Sequence, residues 1–139
     1  MTDISKIAEE VTMIMPRISR RIIFDLLQEI DIPHAQLFVM NMLAHQGTCR
    51  TSDIVKELQV SAPTVTGILD RLEKSGYVRR VEDREDRRAV MVELTAEGKK
   101  IAVKLKSTIV ARWSDILKKL SAEDAERYLE ILRKIKEAI

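Results

Sequence analysis

Cysteine, glycine, proline and aromatic residues are all scarce in this chain of 139 residues, which contains one cysteine, four glycines and three prolines. The single cysteine, Cys49, excludes an intrachain disulfide and is typical of a reducing compartment. No apolar run approaches the roughly 18 residues that a membrane span needs. The start of the chain, MTDISKIAEEV, also lacks the layout of a signal peptide. We therefore expect a soluble, cytoplasmic protein without a membrane segment.

Motifs for catalysis and metal binding are missing as well. The sequence has no HExxH motif, no phosphate-binding glycine loop and no nucleophile elbow. His34 and His45 are the only histidines, and no clustered acids or thiols accompany them. The sequence therefore predicts a protein that is not an enzyme, with no metal site and no cofactor.

The residues that are abundant favour helices. Apolar residues make up 45% of the chain, charged residues 33% and aromatic residues only 4%. Apolar side chains at three- and four-residue steps predict a long amphipathic helix over about 3–29, with a kink or break at Pro16. A second helix follows the segment 31–33 and ends at Gly47. From Thr95 the pattern is helical again, with a capping box at 121–124 that ends one helix and begins another.

The middle of the chain predicts two short helices joined by a tight turn. Thr51 is the expected N-cap of the first and Ser61 of the second, in which Val65, Ile68, Leu69 and Leu72 share the buried face. This helix-turn-helix is a weak signal alone, since helical hairpins are common. Two strands follow, at 77–82 and 89–94, and the charged run 83–88 connects them.

Together these elements predict a mainly α fold with a small β-hairpin wing. The expected organisation is a winged helix-turn-helix DNA-binding domain at 31–94. Long helices at 1–30 and 95–139 flank it and form a dimerisation region.

The outer face of the second short helix suits the major groove of DNA. Hydroxyl groups near its N-terminus can contact phosphates or base edges, and an arginine can bond guanine. Free N–H groups at Ala62 and Thr64 also favour a phosphate at this end. The residues predicted to contact DNA from this helix are Ser61, Pro63, Thr64, Thr66, Gly67, Arg71 and Lys74.

Gly67 stands in the middle of that helix, where glycine costs about 1 kcal/mol relative to alanine. Close approach of another surface to the helix backbone would explain it. The alternative is a crowded packing point inside the monomer.

The charged run between the strands predicts a second DNA contact. Arg84, Arg87 and Arg88 could follow the backbone and place an arginine in the minor groove. Asp83 and Asp86 are expected to stabilise the wing, by accepting from turn amides and pairing with guanidinium groups. The alternative is an ordinary solvated turn.

The segments LDRLEKSGYVRR (69–80) and DREDRRAVMVELTAEG (83–98) resemble the MarR family of winged helix-turn-helix regulators. One departure is Arg84, which stands where many members have proline. The resemblance implies a homodimer that binds pseudo-palindromic double-stranded DNA, often as a repressor released by a small-molecule effector. It also implies an effector crevice between the dimerisation helices and the DNA-binding domain, for which Arg17, His34 and Met42 are candidate lining residues.

The residues themselves leave several alternatives open. The long helices carry more apolar positions than one DNA-binding domain can cover, which favours a dimer, but they could also pack on each other within one chain. Arg17 could contact phosphates or be solvated, together with Arg20 and Arg21. Cys49 is expected to be a small packed thiol rather than a redox sensor. The whole domain could also bind proteins instead of DNA, as an interaction module.

Overall fold

A computed structural model describes residues 1–139 and consists of six helices and a small antiparallel sheet. The mainly α fold class and the β-hairpin wing are confirmed. The elements are α1 (Ile4–Glu29), α2 (His34–Gln46), β1 (Cys49–Arg50), α3 (Thr51–Leu58), α4 (Ala62–Lys74), β2 (Val78–Glu82), β3 (Val90–Leu94), α5 (Ala96–Leu117) and α6 (Ala122–Ala138).

Helix α1 is continuous across Pro16, so the break that the sequence allowed there is wrong. The side chain of Asp3 caps the helix by accepting from the N–H of Ser5 at 3.1 Å. Only Leu26 is buried along the whole helix. Because the surroundings of Pro16 are exposed, water can satisfy the carbonyl group that loses its helical donor.

The two short helices form as the apolar spacing predicts, with one error at the start of the first. Thr51 is the first helical residue of α3 rather than its N-cap. Arg50 holds the cap position, where its N–H donates to Oδ2 of Asp53 at 3.3 Å. The acidic side chain in the first turn thus moves the boundary by one residue.

Helix α4 follows its prediction closely. Ser61 is the N-cap, and the four residues of the expected inner face are each at most 5% exposed, namely Val65, Ile68, Leu69 and Leu72. Gly76, with φ at 82°, reverses the chain directly after the helix.

The wing is part of a three-stranded sheet in the order β1-β3-β2. β2 pairs with β3 from Val78 opposite Leu94 to Glu82 opposite Val90. The strand that the sequence did not predict is β1, which pairs with β3 through Cys49 opposite Val92. A strand of two residues is too short to show a period-two pattern in the sequence, so only its pairing with β3 identifies β1.

The chain divides into two compact units, Met1–Lys106 and Ser107–Ile139. In the first, fully buried side chains from α2, α3, α4 and β3 form the core, among them Leu37, Ile54, Leu69 and Val92. In the second, the rings of Trp113 and Tyr128 lie 5.9 Å apart, and Ser121 caps α6 by accepting from Asp124 N–H at 3.1 Å. The functional division expected at 30 and 95 stays a prediction.

The apolar stripes of the terminal helices are uncovered in the single chain. Helix α6 has no buried residue, and Leu129 and Ile135 on it are 48% and 51% exposed. On α1, Ile7, Val11 and Ile14 are each about half exposed. None of the helices is sufficiently long and apolar to cross a bilayer.

Candidate nucleic-acid interface

Helix α4 presents a polar outer face to solvent. Because its four apolar side chains point into the core, the remaining positions are left outside. Pro63, Thr64, Thr66, Arg71 and Lys74 are exposed, and Gly67 is half-buried. The face begins with hydroxyl groups and ends with two cations, which is the order that the sequence indicated.

The N-terminus of α4 has fewer free donors than expected. The N–H of Thr64 donates to Oγ of Ser61 at 3.3 Å, so the prediction that it is free for a phosphate is wrong. The two hydroxyl oxygens, Oγ of Ser61 and Oγ1 of Thr64, lie 2.7 Å apart. The cap residue satisfies the donor itself, as a serine at this position commonly does.

Gly67 is not a crowded point within the monomer. A Cβ atom built on it would meet no heavy atom within 4 Å. The packing alternative is therefore wrong, and nothing inside the chain explains the absence of a side chain there. Close approach of an external surface stays the prediction.

The charged run 83–88 forms an ordered turn. Oδ1 of Asp83 accepts from the N–H of Glu85, and Oδ1 of Asp86 accepts from the N–H of Arg88, both at 3.0 Å. The N–H of Ala89 donates to the carbonyl oxygen of Asp86 at 3.0 Å. Each aspartate thus bonds a backbone amide two residues ahead, which is an Asx turn.

The arginines of this surface fall into two groups. Arg50, Arg79 and Arg80 are each paired with a carboxylate. In contrast, the five exposed cations of α4 and the wing turn have no ion-pair partner in the chain, namely Arg71, Lys74, Arg84, Arg87 and Arg88. Their charges remain available for a polyanion.

Two of the paired arginines connect the parts of the interface, and the sequence alone did not identify them. Nη2 of Arg80 on β2 lies 2.7 Å from Oδ1 of Asp70, and its Nη1 lies 3.2 Å from Oε1 of Glu73, both acids being on α4. Nη2 of Arg50 lies 2.9 Å from Oδ2 of Asp83. These pairs connect α4 to the sheet and the start of α3 to the wing turn. Helical or strand spacing does not reveal pairs between different elements, and Arg50 and Asp83 are 33 positions apart in the chain.

The wing turn is expected to loosen in acid because of Asp83. The N–H of Glu85, followed by the Arg50 side chain, lowers the pKa of Asp83 from its ordinary value of 3.8, against an opposing effect of burial. The folded turn therefore favours the charged carboxylate. Its stabilising contribution is complete above the ordinary pKa and is lost as the pH falls through the lowered pKa.

Asp83→Asn tests this acid dependence, since asparagine keeps the acceptor for the Glu85 amide and removes the titrating charge. We expect the amide resonance of Glu85 in the full chain to move between pH 5 and about pH 2 in the unmodified protein. It should move less in the variant, because the titrating charge at position 83 is absent. Equal movement in both proteins would contradict the role of the Asp83 charge.

Two cavities in the first unit bear on the effector prediction. The α5 cavity, of about 500 Å³, lies between the end of α2, the end of β3 and the start of α5, where Lys99 and Lys106 line it. The HTH cavity, of about 710 Å³, lies between α2, α3 and α4. His34 and Met42 line the HTH cavity, whereas Arg17 on exposed α1 lines neither. The three candidate lining residues are therefore not brought together.

Cys49 has the environment of a packed thiol. Its side chain is buried beside Gly47, whose carbonyl oxygen accepts from Sγ at 3.4 Å. Burial, and to a smaller extent the nearby Asp53 carboxylate, raises the pKa of the thiol. A raised pKa lowers the thiolate fraction and with it the reactivity toward oxidants.

Comparison with known proteins identifies relatives that are named HTH-type transcriptional regulators. The family model described as MarR family matches residues 32–90. The chain is 33% identical to the HTH-type transcriptional regulator FarR of Neisseria gonorrhoeae over 98 residues, which cover 70% of this chain and 67% of FarR. It is 45% identical to the uncharacterised HTH-type transcriptional regulator YfiV of Bacillus subtilis over 73 residues, 52% of this chain and 46% of YfiV. The chain thus spans about half the length of YfiV and two thirds of FarR.

Solved structures share the whole fold. A MarR family protein from Bacillus stearothermophilus superposes with a TM-score of 0.86 at 20% identity, covering 99% of this chain and 98% of that one. The transcriptional regulator PA4135 superposes with a TM-score of 0.75 at 26% identity, covering 92% of this chain and 95% of that one. The likeness therefore includes the long terminal helices as well as the wing.

Proposed function

We propose, since this chain belongs to the MarR family, that it is a dimeric, sequence-specific DNA-binding transcriptional regulator. The observation that carries the proposal is the position of the unpaired cations. Arg71 and Lys74 on α4 and three arginines in the wing turn have no acid partner in the chain, whereas the other arginines of this surface are neutralised. Phosphate groups are the partners that such a surface fits.

In this proposal α4 enters the major groove and the wing turn reaches the minor groove. The exposed hydroxyl of Thr66 and the guanidinium of Arg71 face the bases, and Arg87 lies along the backbone. The Arg80 pairs with Asp70 and Glu73 support this geometry, because they connect the helix to the strand that carries the wing.

A dimer supplies the second half of the DNA contact. MarR family regulators bind DNA and act as dimers. The exposed apolar stripes of α1 and α6 support the same state here, because a partner chain would remove them from water. Two-fold symmetry would then present two copies of α4 to half-sites about one DNA turn apart, in a pseudo-palindromic site.

The central experiment is selection of fragments from the source genome by the purified chain, followed by titration of the best fragment at several salt concentrations. We expect enrichment of an inverted repeat, bound by two chains with a steep dependence of affinity on salt. Without enrichment and with a flat salt dependence, the alternative of a protein-interaction module would replace this proposal.

Arg87→Ala is expected to weaken binding to every sequence by a similar factor and to reduce the salt slope by about 1. The reason is that a wing arginine acts mainly through phosphate and groove electrostatics. Arg133→Ala on α6, another exposed arginine, is the control and should leave both quantities unchanged. If Arg87→Ala keeps the full salt slope, the wing does not contact DNA.

Whether the protein represses or activates transcription depends on where its operator lies relative to the promoter. A regulator of this kind, acting in the cytoplasm, represses transcription when its operator overlaps a promoter. Release by a small ligand is the expected control. Reporter expression from the selected fragment, with and without the protein, tests repression directly.

A further inference from the structure

The HTH cavity is apolar at its base and open at its rim. Met42 and Ile68, 8% and 5% exposed, form buried parts of the lining, and Phe38 and Val60, 50% and 40% exposed, stand in its walls. The rings of His34 and Phe38 lie 4.5 Å apart along one side. Large apolar side chains that stay exposed around a concave site are typical of a small-molecule pocket.

The charged group at the rim of the cavity is a carboxylate. No lysine or arginine lines the cavity, and Glu57 is its one carboxylate, without a hydrogen bond or ion pair inside the chain. Nδ1 of His45 lies 2.8 Å from the carbonyl oxygen of Asn41. Because that oxygen can only accept, Nδ1 of His45 carries a proton. The α5 cavity differs in this respect, since Lys99 and Lys106 line it.

We propose that the HTH cavity binds a compact aromatic cation and that this ligand lowers the affinity of the protein for DNA. Aromatic rings in the wall and an unpaired carboxylate at the rim are both attractive to such a cation. The inference rests on the proposed function, because it names the class of effector that controls DNA binding.

The coupling to DNA follows from the residues that line the cavity. Thr64 belongs to the outer face of α4, and Val60 lies in the turn between α3 and α4. A ligand in the cavity therefore touches both helices of the helix-turn-helix and one side chain of the DNA-contacting face. A ligand that binds the free protein more tightly than the DNA-bound protein must weaken DNA binding by the same factor.

The first test uses two probes of nearly equal shape and opposite charge, tetraphenylphosphonium and tetraphenylborate. Calorimetric titration of the full chain without DNA should show binding of the phosphonium cation at this site. Glu57→Gln should weaken that binding about fivefold, whereas Glu126→Gln on α6 should not change it. Phe38→Ala should also weaken it about fivefold. Phe24 on α1 is a similarly exposed phenylalanine, and Phe24→Ala should not change the binding. Equal binding of both ions, or indifference to Glu57→Gln and Phe38→Ala, overturns the site.

The second test adds the phosphonium cation to the protein bound to its selected DNA fragment. We expect weaker DNA binding by the unmodified protein and a smaller effect on the Glu57→Gln variant. An equal effect on both would mean that the cation acts on the DNA, and no effect would mean that the cavity is not coupled to α4. Either result overturns the regulatory role. Failure to select any DNA would overturn the proposed function instead, and the calorimetric result would be unaffected.

Discussion

Gly98→Ala is expected to lower the free energy of unfolding by about 3 kcal/mol, which would be a severe effect for one methyl group. A Cβ atom at this position would overlap the carbonyl oxygen of Tyr77 and would stand 2.9 Å from its carbonyl carbon. Both are backbone atoms, so no side-chain rotation relieves the overlap. The chain must move at one of the two segments.

The segments concerned form a junction of the fold. The N–H of Thr95 donates to the carbonyl oxygen of Tyr77 at 3.0 Å. The hydroxyl of Thr95 donates to the carbonyl oxygen of Gly76 at 2.6 Å. The same hydroxyl oxygen accepts from the N–H of Gly98 at 3.1 Å. These bonds connect the end of α4, the start of β2 and the first turn of α5. A displacement at Gly98 therefore disturbs all three.

Gly67→Ala is the matched control, because it is the same substitution in a helix with opposite surroundings. With no heavy atom within 4 Å of the added Cβ, it should raise the free energy of unfolding by about 0.5–1 kcal/mol through helix propensity alone. Chemical denaturation of both variants at one protein concentration measures the two effects, since the stability of a dimer depends on concentration. Similar values for both variants would contradict the contact at Tyr77.

The same Gly67 variant separates stability from binding. If α4 approaches DNA at this position, the added methyl group should weaken DNA affinity even though the protein becomes more stable. Affinity that is unchanged or higher would mean that another face of α4 contacts DNA.

The second large effect is expected from Leu129→Glu combined with Ile135→Glu on α6. Both side chains are about half exposed in the single chain, so their replacement removes little internal packing. In a dimer they would lie against the partner, where buried carboxylates without partners are costly. We expect monomers in solution and operator binding weakened by at least about 100-fold, because each half-site would then be bound independently.

The control for this variant is Arg133→Gln combined with Lys134→Gln. It changes the net charge by the same amount, at neighbouring polar positions of the same helix. Analytical ultracentrifugation gives the oligomeric state, and titration of the selected fragment gives the affinity. If the Leu129 and Ile135 variant remains a dimer while the helix is folded by circular dichroism, α6 does not form the interface.

Much of the fold was predictable because its signals are local. The spacing of Val65, Ile68, Leu69 and Leu72 sets the buried face of α4, and the hydroxyl of Ser61 caps it within three residues. Alternation in 90–94 identifies β3 in the same way. The errors at Thr51 and Pro16 are also local. At Thr51 the signal for an N-cap competed with the carboxylate of Asp53 two residues further on. At Pro16 the signal for a break competed with the helical residues on both sides.

The candidate site was predictable only as separate faces. The exposed face of α4 and the arginines of the wing turn could be named from the sequence, but their relation to Arg50 and Arg80 could not. His34 and Met42 were expected beside Arg17, whereas they line a cavity with α3 and α4. A cavity forms from side chains on three helices, and periodicity within one helix does not report where the others lie.

The sequence by itself determined the helices, the wing hairpin, the outward face of α4 and the position of the cationic turn. These depend on hydrogen bonds and apolar spacing within a few residues. Only the tertiary structure decided that Cys49 and Arg50 form a third strand, that Arg80 joins α4 to the sheet, and that Gly98 must lack a side chain. Those features need segments of the chain that meet only after folding, and the energy of such contacts depends on distances that no local pattern contains.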